Sequence, residues 1–139
     1  MAVAPFIPIN FDWVAERSKC SIHQVFKQLE LEIEEDVTKR KSLLGLKTQT
    51  QFSISTLTSN RFSVIRVDDP ISCLSVQVDF ALVDGKITAQ SQQYNVDLAA
   101  TITLNNEGRC KLKIGNDELE HWQFRRMALE ALFFGYPSS

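Results

Sequence analysis

The sequence contains few of the residues from which common metal and redox sites are built. It has only two histidines and three cysteines among 139 residues. Cys20, Cys73 and Cys110 form no C-x-x-C pair and have no histidine nearby at the spacing of a zinc ligand. We therefore expect neither a disulfide framework nor a zinc site. Three reduced thiols fit most simply with a cytoplasmic location.

Motifs for catalysis and for cofactor binding are equally scarce. The chain has no glycine-rich phosphate loop, no G-x-S-x-G, no H-E-x-x-H and no EF-hand spacing. Cys20 lies three residues before His23, but no third orienting group accompanies this pair. The sequence thus predicts no catalytic residue, no metal ligand and no cofactor.

The charge balance and the apolar segments limit the partners. A net charge of −2 provides no long-range attraction for nucleic acid or for an anionic membrane. The apolar beginning of the chain includes Pro5 and Pro8 and is too short to span a bilayer. We expect residues 1–12 to form an extended arm, with no membrane partner.

Ordinary globular composition, 44% hydrophobic and 23% charged, predicts one domain over residues 1–139. The pattern is most clearly helical over residues 21–44. Ser21 and Gln24 have the spacing of a capping box, and Gly45 follows as a stop signal. The apolar residues of this segment form a stripe within an arc of about 120° on a helical wheel. Its members are Ile22, Val25, Phe26, Leu29, Ile33, Val37, Leu43 and Leu44, and Leu31 lies outside it.

Residues 51–115 alternate apolar and polar side chains with period two, and Asp84-Gly85 is a strong hairpin signal. This predicts an antiparallel meander of five or six strands. A second helix is expected over residues 117–134, with Asn116 as its N-cap and Gly135 at its end. The resulting α+β order, a long helix packed on a curved antiparallel sheet and then a C-terminal helix, is similar to that of cystatin-like and NTF2-like folds.

The inward face of the predicted sheet carries apolar residues and almost no ionisable group. Catalysis inside the cone between helix and sheet would need an inward carboxylate or histidine. His23 and His121 both fall on polar sides of their helices, and Asp79 and Asp97 point outward. This disfavours an enzyme. One hypothesis is therefore a pocket protein that binds a small apolar ligand between helix and sheet.

Residues 14–29 resemble the helix-turn-helix of bacterial repressors. Ala15 lies in the first helix, Ser21 caps the second, and Val25 occupies its packing position. The resemblance implies that His23 and other exposed residues of the second helix would contact bases in the major groove. An acidic run, residues 30–36, follows directly and would repel phosphates. DNA binding is therefore the third hypothesis. We prefer a structural interpretation of the same residues, in which a short helix leads into the long one.

The leading hypothesis is a non-catalytic interaction domain that self-associates through the C-terminal helix. The expected partner is a second copy, in a homodimer, or another protein. That helix has two apolar stripes, and one sheet can cover only one of them. The first contains Phe124, Met127, Ala128, Ala131 and Phe134, and the second has the aromatic and arginine composition of interfaces. The interface candidates are Trp122, Arg125, Arg126, Leu129, Phe133 and Tyr136. The alternative is coverage by the N-terminal arm, from the same or a neighbouring subunit, through Phe6, Ile7, Ile9, Phe11 and Trp13.

Overall fold

The computed structural model describes residues 10–44, 49–71 and 74–135. It confirms an α+β arrangement of two N-terminal helices, an antiparallel sheet and a C-terminal helix. The helices are α1 (Trp13–Lys19), α2 (Ile22–Leu44) and α3 (His121–Phe134). The strands are β1 (Gln51–Thr58), β2 (Arg61–Asp69), β3 (Leu74–Val83), β4 (Lys86–Ser91), β5 (Val96–Leu104), β6 (Cys110–Ile114) and β7 (Asp117–Leu119).

Each strand pairs with the next one in the chain, so the sheet is a meander of seven strands within the described residues. The expected number was five or six. Most even-numbered residues of β1, β2 and β3 face the helices, as the pairing of Val64 with Val78 and of Phe62 with Phe80 shows, but Leu74 at the start of β3 is 76% exposed. The odd-numbered residues face away and are mostly polar, which confirms the period-two pattern.

Helix α2 begins where the capping pattern places it, because the hydroxyl of Ser21 accepts a hydrogen bond from the N–H of Gln24 at 3.3 Å. Five members of its apolar stripe, Val25, Phe26, Leu29, Ile33 and Val37, are buried, and Leu31 is exposed, as its position outside the stripe predicts. Leu43 was placed in the stripe but is 64% exposed. Inside the core, the ring of Phe62 stacks on Phe80 at 4.8 Å and contacts Phe26 at 5.3 Å. Large side chains therefore occupy the centre of the space between α2 and the sheet.

The C-terminal helix begins later than the sequence suggests. Gly115, with a φ of +60°, and Asn116 form a two-residue turn, across which Ile114 pairs with Asp117. Glycine in the first position suits a hairpin turn, so Asp117 and Glu118, the first residues of the predicted helix, lie instead in β7. Helix α3 starts at His121, and a capping box between Glu120 and Gln123 satisfies its first backbone groups.

The expectation of free thiols at Cys20 and Cys110 is wrong, because a disulfide joins these residues. Cys20 lies in the short connection between α1 and α2, and Cys110 begins β6. The bond attaches the start of the long helix to the far part of the sheet, across 90 positions of sequence. Cys73 lies outside the described residues.

Removing the disulfide should destabilise the fold, because a cross-link between distant positions reduces the entropy of the unfolded chain. We expect Cys20→Ser with Cys110→Ser to lower the free energy of unfolding by about 2–5 kcal/mol. Urea denaturation at neutral pH measures this loss. A reducing agent should lower the stability of the wild type and leave the double variant unchanged. Equal stability of both proteins under oxidising conditions would contradict the prediction.

Candidate functional site

A groove of about 360 Å³ runs between α2 and α3 on the outside of the domain. Its volume is within the range of small-molecule sites. Apolar side chains form its floor and sides, and charged groups lie along its rim. The lining residues are Asp36, Lys39, Arg40, Leu43, Trp122, Arg125, Arg126, Leu129, Glu130, Phe133 and Phe134.

A chain of charged groups sets the spacing of the two helices at one end of this groove. Nδ1 of His121 lies 2.8 Å from Oε1 of Glu32, and an Arg125 nitrogen lies 3.2 Å from the same oxygen. Nε of Arg125 donates to Asp36 at 2.7 Å. All four side chains are half-buried, so these contacts are less screened than surface pairs. His121, expected to be solvated, instead joins α3 to α2.

Two arginines from other elements bind the C-terminal end of α3. The guanidinium of Arg66 on β2 donates to the carbonyls of Leu132 and Gly135 at 2.8 and 2.7 Å. Nε of Arg40 on α2 donates to the carbonyl of Phe133 at 2.8 Å. The last carbonyls of a helix have no partner within it and carry partial negative charge. The two cations therefore satisfy this end of α3 and hold it against α2 and the sheet.

Arg66 corrects the expectation that the inward face has almost no ionisable group. It is buried, with 6% of its surface exposed, and its Nε also pairs with Asp68 at 2.8 Å. The alternation of β2 could have revealed it, since Phe62 and Val64 face inward and Arg66 follows in the same phase.

The interface candidates on α3 divide into buried and exposed groups. Leu129 and Phe133 are buried, with 2% and 7% of their surface exposed, and form the floor of the groove. Trp122 is 54% exposed at its rim, and Arg126 extends into solvent. Arg125 is engaged in the ion pairs that hold α3 to α2. Tyr136 lies outside the described residues.

The sequence reasoning missed the contribution of α2 and misplaced part of α3. Phe134 and Met127 were assigned to the stripe that one sheet would cover, yet they are 66% and 48% exposed. The buried positions of α3 include Phe124, Ala128 and Leu132, and the ring of Phe133 also reaches the sheet, 5.4 Å from that of Phe52. On a helical wheel, Phe124, Ala128 and Leu132 lie at different angles from the exposed Met127 and Phe134. A comparison of these angles could have separated the two faces of the helix.

Only part of the N-terminal arm can be compared with the hypothesis that it covers α3. Phe6, Ile7 and Ile9 lie outside the described residues. The ring of Phe11 lies against Gly108, where a Cβ atom would come within 2.5 Å of it. Trp13 is 63% exposed. These two aromatic residues therefore leave the exposed side of α3 uncovered.

The residues considered for DNA binding and the outward-facing Asp79 do not line the groove. His23, Gln24 and Lys27 of the helix-turn-helix-like stretch are exposed on α2. Asp79 accepts hydrogen bonds from Ser63 and Gln77 on the outward face of the sheet. Within residues 10–44, 49–71 and 74–135, no three histidine, cysteine or acidic side chains converge as a metal site would require. The groove thus offers contact surface and charge.

A scan against protein-family models finds no match to the chain, and searches of curated proteins and of solved structures find none either. No helix in the described part of the chain is both long enough and apolar enough to cross a membrane.

The burial of Asp36 should make stability depend on pH. Burial raises the pKa of Asp36 above its ordinary value of 3.8, against the attraction of Arg125. The folded state therefore holds this proton more tightly than the unfolded state, and the Asp36 contribution to stability is lost as the pH rises from below 3.8 through the raised pKa. We expect the free energy of unfolding of the wild type, relative to that of Asp36→Asn, to fall over that pH interval. Urea denaturation at a series of pH values measures it. A constant difference would contradict the prediction.

Removing Arg66 should loosen the end of α3. In Arg66→Met the length is kept, but the carbonyls of Leu132 and Gly135 lose their donor and Asp68 loses its counter-ion. We expect a loss of about 3 kcal/mol in the free energy of unfolding, with faster hydrogen exchange at the end of α3. Arg66→Lys keeps the charge but not the guanidinium fork, so its stability should lie between the two. Wild-type exchange rates in Arg66→Met would contradict this role.

Proposed function

We propose that this protein is a non-catalytic interaction domain that forms a homodimer through the outer face of α3, beside the α2–α3 groove. The observation that carries the proposal is a row of four exposed side chains on that face: Trp122, Arg126, Glu130 and Phe134. Two large aromatic residues enclose one cation and one anion. Such a combination is rare on a free surface and common at interfaces.

The row follows the four-residue ridge of the helix. Successive members lie four positions apart, which places them along one side of α3 over roughly 18 Å. Trp122 and Phe134 are 54% and 66% exposed. The side chains of Arg126 and Glu130 are 64% and 58% exposed and lie 3.3 Å apart. The ridge is therefore available to a partner over its full length.

The order of the row matches a second copy of the same row in the opposite direction. When two α3 helices meet antiparallel about a twofold axis, Arg126 faces Glu130 of the partner subunit, and Trp122 faces Phe134 of the partner subunit. The twofold symmetry repeats both contacts. Opposite charges then meet at the centre and aromatic rings at the two ends. This self-complementarity supports a second copy as the occupant.

The neighbouring groove supports the same arrangement. Its α2 wall carries Lys39, Arg40 and Leu43, and the guanidinium carbon of Arg40 lies 4.6 Å from the centre of the Phe134 ring. This cation–π contact holds Phe134 at the rim, and Leu43 is 64% exposed beside it. An incoming Trp122 from the partner subunit would meet a preformed aromatic and aliphatic surface. The contact is small, so we expect affinity in the micromolar range.

The charge order of the row gives a direct test. Arg126→Glu places two acids at each central contact and Glu130→Arg places two bases there, so each variant should weaken the dimer at least tenfold. A mixture of the two should form a heterodimer, since every central contact then joins opposite charges. Sedimentation equilibrium over micromolar concentrations measures these changes.

The doubly exchanged chain, Arg126→Glu with Glu130→Arg, is the matched control. It keeps the composition and restores opposite charges across the twofold axis, so it should dimerise as the wild type does. A monomeric wild type, or equal association by all of these proteins, would refute the proposal.

A further inference from the structure

Strand β1 has one bonded edge and one open edge. It pairs with β2 over residues 51–58, and the sheet formed by the described residues has no strand beyond it. The backbone groups on that side of an edge strand are available for pairing with another strand. The open edge is eight residues long.

The two edges of the sheet differ in how they resist pairing. At the far edge, β7 has only three residues, and two of them, Asp117 and Glu118, are acidic. Short length and charge are common protections of an edge. Strand β1, QFSISTLT, contains no charged residue, no proline and no glycine. Its only irregularity is a shift in register between Thr56 and Thr58, near its end.

We propose that the open edge of β1 pairs antiparallel with the same edge of a second copy, at an interface separate from α3. The two sheets would then form one continuous sheet. Because antiparallel partners place side chains on the same face, the residues that face α2 must lie opposite residues that also face α2. A register with Ile54 on the twofold axis meets this requirement and places Ser53 opposite Ser55 of the partner subunit.

Both ends of β1 favour a second copy as the occupant. Leu57, near the end of the strand, is 64% exposed. A cavity of about 460 Å³ lies at its beginning, lined by Lys41, Leu44, Thr50, Gln51, Phe52, Ser53 and Val67. In the proposed register, Leu57 of each copy comes beside Gln51 of the other, at this cavity. The pairing covers an exposed apolar side chain and places no like charges opposite each other.

A charged pair of substitutions on the edge tests the inference. In Ser53→Lys with Ser55→Lys, each lysine would face a lysine of the partner subunit, and the edge would also gain the protection it lacks. The matched control is Ala99→Lys with Thr101→Lys, which adds the same charges at the same spacing to exposed positions of β5. Circular dichroism and urea denaturation establish that both variants fold.

The measurement is sedimentation equilibrium of each pair of substitutions in the Arg126→Glu background, where association through α3 is weakened. We expect the background protein and the β5 control to dimerise and the β1 variant to be monomeric. A monomeric background, or a β1 variant that dimerises like the control, would overturn the inference. The α3 proposal is judged separately by whether Arg126→Glu lowers the association of the wild-type chain.

Hydrogen exchange supplies a second readout that does not depend on the lysines. Backbone amides of β1 in the Arg126→Glu protein should exchange at least tenfold more slowly at high than at low protein concentration, while those of β5 stay constant. Exchange in β1 that is independent of concentration would also overturn the inference.

Discussion

The binding of the α3 carbonyls by arginines from other elements is the interaction on which the surface of this domain depends. Helix α3 has no basic residue in its own last turn. Arg66 from the sheet and Arg40 from α2 supply the missing donors. Because both guanidinium groups are fixed by other contacts, the end of α3 has one position relative to α2 and β2. The groove between the helices follows from that position.

This constraint also decides which side of α3 remains free. Ion pairs at Arg125 hold the beginning of the helix to α2, and the arginines hold its end. The inner sides of α3 thus face the sheet and α2. The outer side, which forms one rim of the groove, presents Trp122, Arg126, Glu130 and Phe134 to solvent. Structural stabilisation and the proposed recognition surface are therefore assigned to different faces of one short helix.

Regular patterns in the sequence predicted the long helix, the antiparallel alternation and the existence of a C-terminal helix, because each depends on neighbouring residues. The sequence did not reveal the disulfide, since Cys20 and Cys110 are 90 positions apart and no spacing rule joins them. Hairpin chemistry at Gly115 competed with helical capping at Asn116, and the hairpin prevails. The groove required two helices distant in sequence, so only its α3 wall could be proposed beforehand.

The meander separates the contacts of this chain into two classes. Within the described residues, strand pairing joins consecutive strands, whereas three contacts between the first and last parts of the chain span 89 to 93 positions: Asp36 with Arg125, Cys20 with Cys110 and Arg40 with Phe133. Hairpins of low sequence separation close early, because their loop entropy is small. We therefore expect the non-covalent contacts of Asp36 with Arg125 and of Arg40 with Phe133 to form after the hairpins. Weakening either of these two contacts should therefore accelerate unfolding more than it slows folding.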